Sequence, residues 1–386
     1  MGIKGSRIDN LKTLRKIYIG VAIVILNTIV LILLLNTFFH FANPTLRKVF
    51  VFSESSFNEN ILNDAYPHIE SSEIRKEIIK ENDKYSLPFV YDSFTGFRTK
   101  AYNGKFVNVD DAGFRYIKDQ CTYPPKNTNF NVFVFGGSTT FGSGVIDNET
   151  IPSKIQEKLR SEYNRKNICV YNFARPHYYS TIERELFVKL IVEENYIPDI
   201  AIFIDGLNDH NGKKIPYEDK LAAYTEGKDK LGYVFSGTAT STVISHLYRR
   251  FINNSALENV ETNESRIFER YISNQKVIRS VGNTYNVTTY FIIQPVPAYN
   301  YDCAYHLLCK RGLLDFKGTK WDKTRGFYSI VANSTQTRND EIIWLGDIQK
   351  ERKENFYVDY GHYTAKFSDE IANHIILRMA PINFSS

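Results

Sequence analysis

The pattern of apolar and polar positions changes character three times along the chain. Residues Ile17 to Leu35 (IYIGVAIVILNTIVLILLL) are apolar apart from Tyr18, Asn27 and Thr28. As a helix rising 1.5 Å per residue they cover about 28 Å, the thickness of a bilayer core. From Asn43 to about Thr128 the pattern is mixed: a short apolar run KVFVF, a charged helical stretch around Ser72 to Lys84, then turn-rich sequence. After that a rhythm sets in. NVFVFGG, ICVYNFA, DIAIFIDG and TTYFIIQPVPA read as short buried strands, while Ile151 to Tyr163, TIERELFVKLIVEENY and Ser265 to Val281 carry helical spacing. Apolar strands alternating with helices predict a parallel sheet covered on both faces. Ligands collect at the carboxyl ends of such strands, which brings GGST, NFARPHYYS and DGLNDHN to one edge. The longer stretches Asn211 to Glu264 and Tyr299 to Arg338 fit helical insertions or lids over it.

These patterns divide the chain into a basic tail (1–16), an apolar anchor (17–41), a membrane-proximal lead-in region (42–128) and a main α/β domain (129–386). The chain of 386 residues is 43% hydrophobic, enough for one sizeable core. Lys4, Arg7, Lys12, Arg15 and Lys16 against Asp9 make the tail +4 of the formal +5, leaving the rest at +1. Basic residues before the span hold the N-terminus in the cytoplasm and place the body outside it, at the cell membrane. A body so balanced is not built to grip nucleic acid. A cleaved signal peptide is the competing reading, but its apolar core is only about 7 to 15 residues, and no small-x-small site follows at His40-Phe41-Ala42. Four cysteines are too few for a disulfide scaffold, though Cys303 and Cys309 lie close enough in CAYHLLC either to close a small loop or to remain two thiols. No CxxC pair or histidine cluster has zinc spacing, so neither metal nor cofactor is expected.

Ser138 stands where the first strand of the rhythm runs out into glycine. The run is not a phosphate loop, since GxxxxGK[ST] needs a lysine; it lacks GxGxxG, and Thr140 occupies the second glycine of a GxSxG elbow. Ser138 is either a helix cap or a nucleophile. A nucleophilic serine needs an imidazole to take its proton and a carboxylate to orient that imidazole. Asp359 and His362 lie three apart in a short polar turn before an amphipathic helix from about Thr364 to Arg378, a spacing that lets both side chains face one crevice. Acyl transfer also needs donors for the developing oxyanion: the Asn208 side chain and the N–H groups of Ser138 and Ala174 are placed to supply them.

GGST at 136–139, NFA at 172–174, GLND at 206–209 and DYGH at 359–362 together resemble the four blocks of the SGNH (GDSL-like) hydrolases, in order. The upstream DDAGFR resembles the N-x-x-GFR lead-in of many extracytoplasmic members, with Asp110 at the asparagine position. The resemblance covers about Val107 to Met379 and implies a flavodoxin-like three-layer α/β sandwich with a central parallel sheet. It makes Ser138 the nucleophile, His362 the general base and then acid, Asp359 its orienting partner, and Ser138, Ala174 and Asn208 the oxyanion donors. The second block departs from the pattern, with Ala174 and His177 where the family usually has glycine. A left-handed backbone at 174 would make the methyl group cost about 1–2 kcal/mol, and the methyl would narrow the acyl pocket. Arg175 and His177 become candidate substrate contacts.

The expectation is therefore a membrane-anchored serine esterase acting outside the cytoplasm, removing O-acetyl or another small acyl group from an envelope or surface polysaccharide, with Tyr178, Tyr299, Tyr301 and Trp321 as candidate sugar-stacking rings. Its partners are the bilayer and the acylated glycan. A polysaccharide O-acyltransferase would use the same triad and need a multispanning membrane partner to deliver its acyl donor. A degenerate domain that binds glycan or scaffolds a complex is the reading of another class.

Overall fold

The computed structural model describes residues 3–50, 59–82, 89–209, 264–316, 321–337 and 341–382. The expected lid at 211–264 lies outside these apart from Glu264, as do the last two residues of the KVFVF run, whose first three end the first helix.

The N-terminal unit contributes one helix, α1 (Ile3–Phe50). Its segment Leu14–Leu35 has mean hydropathy 2.8, and none of it is buried against protein. The hydroxyls of Thr28 and Thr37 donate back to the carbonyls of Val24 and Leu33, each at 2.8 Å. Polar groups on an otherwise apolar helix are thereby satisfied without water. The helix is long and apolar enough to cross a bilayer.

The second unit comprises Phe57–Asp219 and Glu261–Ser386. Its centre is a five-stranded sheet of β5 (Phe130–Gly136), β6 (Ile168–Asn172), β7 (Ile200–Asp205), β8 (Thr288–Ile293) and β9 (Ile343–Trp344), in the order β6-β5-β7-β8-β9. Every pairing is parallel. The expected flavodoxin-like sandwich is therefore present, with its topological switch point between β5 and β7. The two-residue β9 escaped the sequence reading because so short a strand has no period to detect.

Side-chain alternation sorts the core into two faces. Val132, Val134, Val170, Ile202, Ile204 and Ile292 meet α5 (Ile151–Tyr163) and α9 (Ala365–Arg378) on one side. Phe133, Phe135, Tyr171, Phe203 and Phe291 meet α6 (Ser180–Val188) and α7 (Glu264–Thr284) on the other. β-Branched residues thus fill one layer and aromatic rings the other, with Phe135 stacked on Phe203 at 4.7 Å and Phe203 on Phe291 at 5.4 Å. A further helix, α8 (Trp321–Thr337), packs Phe327, Tyr328 and Val331 against Tyr271 of α7. Threonine caps open α5 and α9: Thr150 accepts from Ser153 N–H, and Thr364 from Phe367 N–H.

The region expected to be a separate lead-in is divided differently. From Phe57 onward it belongs to the same compact unit as the sheet. Its helices α2 (Glu59–Ala65) and α3 (Ser72–Asn82) and its hairpins β1 (Phe89–Asp92)–β2 (Gly96–Thr99) and β3 (Tyr102–Asn103)–β4 (Asn108–Val109) wrap the crevice side. Buried Glu81 accepts the N–H groups of Lys105, Phe106 and Val107. A Cys121–Cys169 disulfide, absent from the sequence reading, ties this region to β6, and a Cys303–Cys309 bridge closes the short loop that spacing left open.

This integration predicts that a fragment spanning 57–386 melts cooperatively by circular dichroism, whereas one spanning 129–386, stripped of Arg115, Glu81 and Cys121, does not.

Candidate active site

Two crevice segments grow from adjacent strands at the switch point. β5 ends in Gly136-Gly137, and Ser138 opens the four-residue helix α4 (Ser138–Phe141). β7 ends at Asp205 and turns through Gly206-Leu207 into Asn208. A Cβ on Gly137 would collide with Asn208 Nδ2 and stand 3.1 Å from the Tyr178 carbonyl. Only glycine admits the Asn208 amide so close to the nucleophile.

Asp359 and His362 occupy the tip of a tight loop closed by an antiparallel bridge between Tyr357 and Tyr363 and by the Val358 N–H to His362 carbonyl bond of 2.9 Å. Asp359 Oδ1 accepts the N–H groups of Gly361 and His362 at 2.9 and 2.8 Å. Its Oδ2 lies 2.6 Å from His362 Nδ1, and His362 Nε2 lies 2.9 Å from Ser138 Oγ. The nucleophile turn meets this loop at Gly144 (φ 91°), where a Cβ would collide with Val358 Cγ2. Residues 138, 359 and 362 thus form one hydrogen-bonded line.

The electrostatics follow from the same contacts. Burial pushes the Asp359 carboxyl up, but the charge and ring of His362 and two backbone N–H groups outweigh it and hold the carboxyl below its ordinary value. Burial pulls the His362 imidazole down, and Asp359 more than reverses this, leaving it above its ordinary value. His306, buried in the disulfide loop beside Asp359, is pulled down by burial to about 4 and stays neutral at physiological pH, despite the nearby carboxylate.

The three expected oxyanion donors do not fare alike. Asn208 Nδ2 donates to the Tyr178 carbonyl at 2.8 Å, which orients the amide and leaves its second N–H for a ligand. The Ser138 N–H has no acceptor among the described residues. The Ala174 N–H instead donates to Asn172 Oδ1 at 3.2 Å, so it is not presented to the crevice. Two further expectations about the second block are corrected. Ala174 is not left-handed; the positive φ falls on His177 (φ 69°), two residues past Arg175. The Ala174 methyl is buried with Val107, Val109 and Phe141 and narrows no acyl pocket.

Arg175 is not a substrate contact either. It is 1% exposed and donates to the Tyr178 hydroxyl and the Ala112 carbonyl, with Asp92 at 4.0 Å. Tyr178 is 1% exposed and donates to Phe97 and Thr95, so it too is structural. His177 is exposed, its ring edge-on to Phe89 at 5.6 Å.

A different arginine holds the turn that follows Ser138. Arg115, fully buried, donates to the carbonyls of Phe141, Gly142 and Val145 at 3.1, 2.6 and 2.7 Å and to Asp147 Oδ1 at 2.9 Å. It thereby gathers the carbonyls that leave α4, whose last turn has no helical partner for them. The GFR tripeptide carried this residue in the sequence, without a local signal of its role. Beneath Asn208, three buried carboxyls cluster: Glu183 on α6, Asp205 at the end of β7, and Asp209. Burial, reinforced by the neighbouring Asp205 charge and hydrogen bond, pushes Glu183 well above the carboxylate range, so it is held as the neutral acid beside Asp205. Asp209 accepts from Ser180 Oγ at 2.6 Å, and its carbonyl accepts from Arg270. Among the described residues no cluster has the makings of a metal site.

If this line acts as an acyl-transfer centre, the neutral imidazole is its base, so activity requires His362 deprotonated, and its raised pKa moves the acid limb of kcat/KM above the ordinary imidazole value of about 6.5. Asp359→Asn removes the charge that raises it, so that limb moves to lower pH while kcat falls about 10³- to 10⁴-fold, read from a pH–rate profile. Arg115→Met takes from three carbonyls and the Asp147 carboxylate their charged donor, leaving them only neutral ones, and chemical denaturation should show a loss of roughly 3–5 kcal/mol.

No family model and no curated protein matches the sequence. Solved structures do match. They include a lipolytic protein of the G-D-S-L family from Desulfitobacterium hafniense (12% identity, 65% of this chain and 100% of that one, TM-score 0.35). A lipase from a goat rumen metagenome (12%, 65% and 97%, 0.38) and an acetyl xylan esterase (13%, 65% and 100%, 0.36) are others. At such scores the likenesses are recorded without weight on activity. Strand order and the meeting of GGST, GLND and DYGH at the switch point stand on the coordinates themselves: the chain folds as a flavodoxin-like α/β sandwich with these three segments gathered at its switch point.

Proposed function

We propose that the protein is a serine esterase of the SGNH type, held at a membrane by α1 and acting outside the cytoplasm on small acyl esters of a surface or envelope glycan. The observation that carries the esterase reading is the unbroken line from Ser138 Oγ through His362 to Asp359, at 2.9 and 2.6 Å. Ser138 Oγ attacks the ester carbonyl while His362 Nε2 takes its proton. The tetrahedral oxyanion settles against the Ser138 N–H and the free N–H of Asn208, and His362 returns the proton to the departing alcohol. Water repeats the sequence on the acyl-enzyme. Asp359, with its negative form favoured, keeps the imidazole in the right tautomer and balances its charge.

Location is supported by three features that agree. The apolar Leu14–Leu35 helix follows a tail of net positive charge, which favours an inside N-terminus. All four cysteines are paired, as in an oxidising compartment. Outside the cytoplasm, acylated polysaccharide is an abundant ester.

The full chain should release acetate from a short-chain acetyl ester without any added acceptor, and a fluorophosphonate should label Ser138. Ser138→Ala should lose the label and at least roughly 10⁴-fold in kcat. Unchanged turnover in that variant overturns the assignment. Product that forms only with a sugar acceptor present moves the same triad to an acyltransferase, and a chain that neither labels nor turns over is a binding domain.

A further inference from the structure

Ser138 and His362 come from segments far apart in the chain, and each is followed by a buried residue that carries a hydroxyl. Thr139 after Ser138 is 3% exposed, and Tyr363 after His362 is 2% exposed. Both hydroxyls end on one short piece of chain, where β8 runs out. Thr139 Oγ1 donates to Gln294 Oε1 at 2.6 Å, and the Tyr363 hydroxyl donates to the Pro295 carbonyl at 2.6 Å. The neighbours of Ser138 and His362 are thus tied to consecutive residues.

That piece of chain is itself held from several sides. The Gln294 N–H donates to the Asp205 carbonyl at 3.0 Å, continuing the β7–β8 pairing one residue past the strand. The Gln294 carbonyl accepts from the Tyr328 hydroxyl at 2.8 Å, and the Val296 carbonyl accepts from Gln349 Nε2 at 2.6 Å. Gln349 Oε1 accepts in turn from Tyr357, which bridges Tyr363 at the base of the triad loop. Gln294, Tyr328 and Gln349 are buried, so water does not compete for these bonds. Neither triad element has such support of its own. α4 is only four residues long, well below the length at which a helix holds itself together, and Asp359 and His362 stand on a loop. Arg115 grips the far end of α4, whereas Thr139 ties down its first turn, beside Ser138.

We propose that Gln294 and Pro295 form a shared anchor that keeps Ser138 and His362 in register, with the Thr139 and Tyr363 hydroxyls as its two positioning groups. The proposal rests on the esterase reading above and adds what aligns the two reacting side chains. Neither hydroxyl takes part in proton transfer; each acts through the triad residue beside it. Alignment matters because a misplacement of about 1 Å costs on the order of 10²-fold in rate.

The test follows 4-nitrophenyl acetate turnover and fluorophosphonate labelling of Ser138 in the full chain. Thr139→Val keeps the shape of the side chain and removes its hydroxyl; it should lower kcat and the labelling rate roughly 10- to 100-fold and move KM by less than about twofold. Thr139→Ser, which restores the donor, should return kcat to within about threefold of the unaltered chain. Gln294→Met added to Thr139→Val should cost no further activity, since both remove the same bond. Tyr363→Phe leaves the ring in the core and should lower kcat roughly 3- to 30-fold, without moving the acid limb of the pH–rate profile, because the Asp359 pair that raises His362 is untouched. Circular dichroism shows which variants are folded, and Tyr363→Phe decides alone if Thr139→Val is not. Unchanged kcat and labelling in either folded variant, or a loss carried by KM, overturns the anchor while leaving the esterase standing. An unaltered chain that neither cleaves the ester nor takes the label overturns the esterase reading and the anchor with it.

Discussion

A guanidinium buried to exclusion of water must find acceptors inside the protein, and Arg115 finds them in the turn that follows Ser138. The requirement runs in both directions. Three carbonyls around the end of α4 take their charged donor from Arg115, beside neutral donors from Asn172, Val145 and Asn82, and Arg115 would be an uncompensated charge without them and Asp147. Because that turn also touches Val358 through Gly144, the same network sets how far Ser138 stands from the loop of Asp359 and His362. A hydrogen bond of 2.9 Å between Ser138 and His362 is the outcome of packing that begins in a segment upstream of the sheet.

The opposite wall of the crevice is held by buried polarity of the other sign. Glu183, Asp205 and Asp209 crowd beneath Asn208, with the Arg270 side chain bonded to the Asp209 carbonyl. Two carboxylates cannot remain charged side by side in a dry interior, so Glu183 keeps its proton. With Ser180 and Asn274 extending the network to α6 and α7, the loop carrying Asn208 is tied to the helices of the aromatic face. Ser138 is thus braced by a cation from the lead-in region, and the Asn208 loop by an acid pair and hydroxyls from the helical layer.

The lead-in region consequently acts as part of the site wall. Thr95 and Phe97 accept from Tyr178, whose carbonyl orients Asn208; Tyr66 donates to the Gly144 carbonyl at 2.7 Å. Such contacts explain why the second block tolerates Arg175 and Ala174. The arginine faces the Asp92 carboxylate at 4.0 Å and donates to the Tyr178 hydroxyl, and the alanine methyl fills a small cluster with Phe141. Neither residue was readable as structural from its neighbours in sequence.

The chain's own order of residues was enough to determine the strands of the sheet apart from β9, the helices between them, the apolar N-terminal helix, and the serine, histidine, aspartate and asparagine that meet at the crevice. Each of these rests on short-range physics: periodicity of two or 3.6, a strand running into glycine, two polar side chains three residues apart. Only the folded molecule decided that Arg115 braces the turn after Ser138 while Arg175 is buried against Tyr178 and Ala112, and that Ala174 turns its N–H to Asn172. For Arg115 and Tyr178 the partners lie 26 to 83 positions away in the chain, while Ala174 finds its acceptor only two residues back. Local pattern carries no record of such distances.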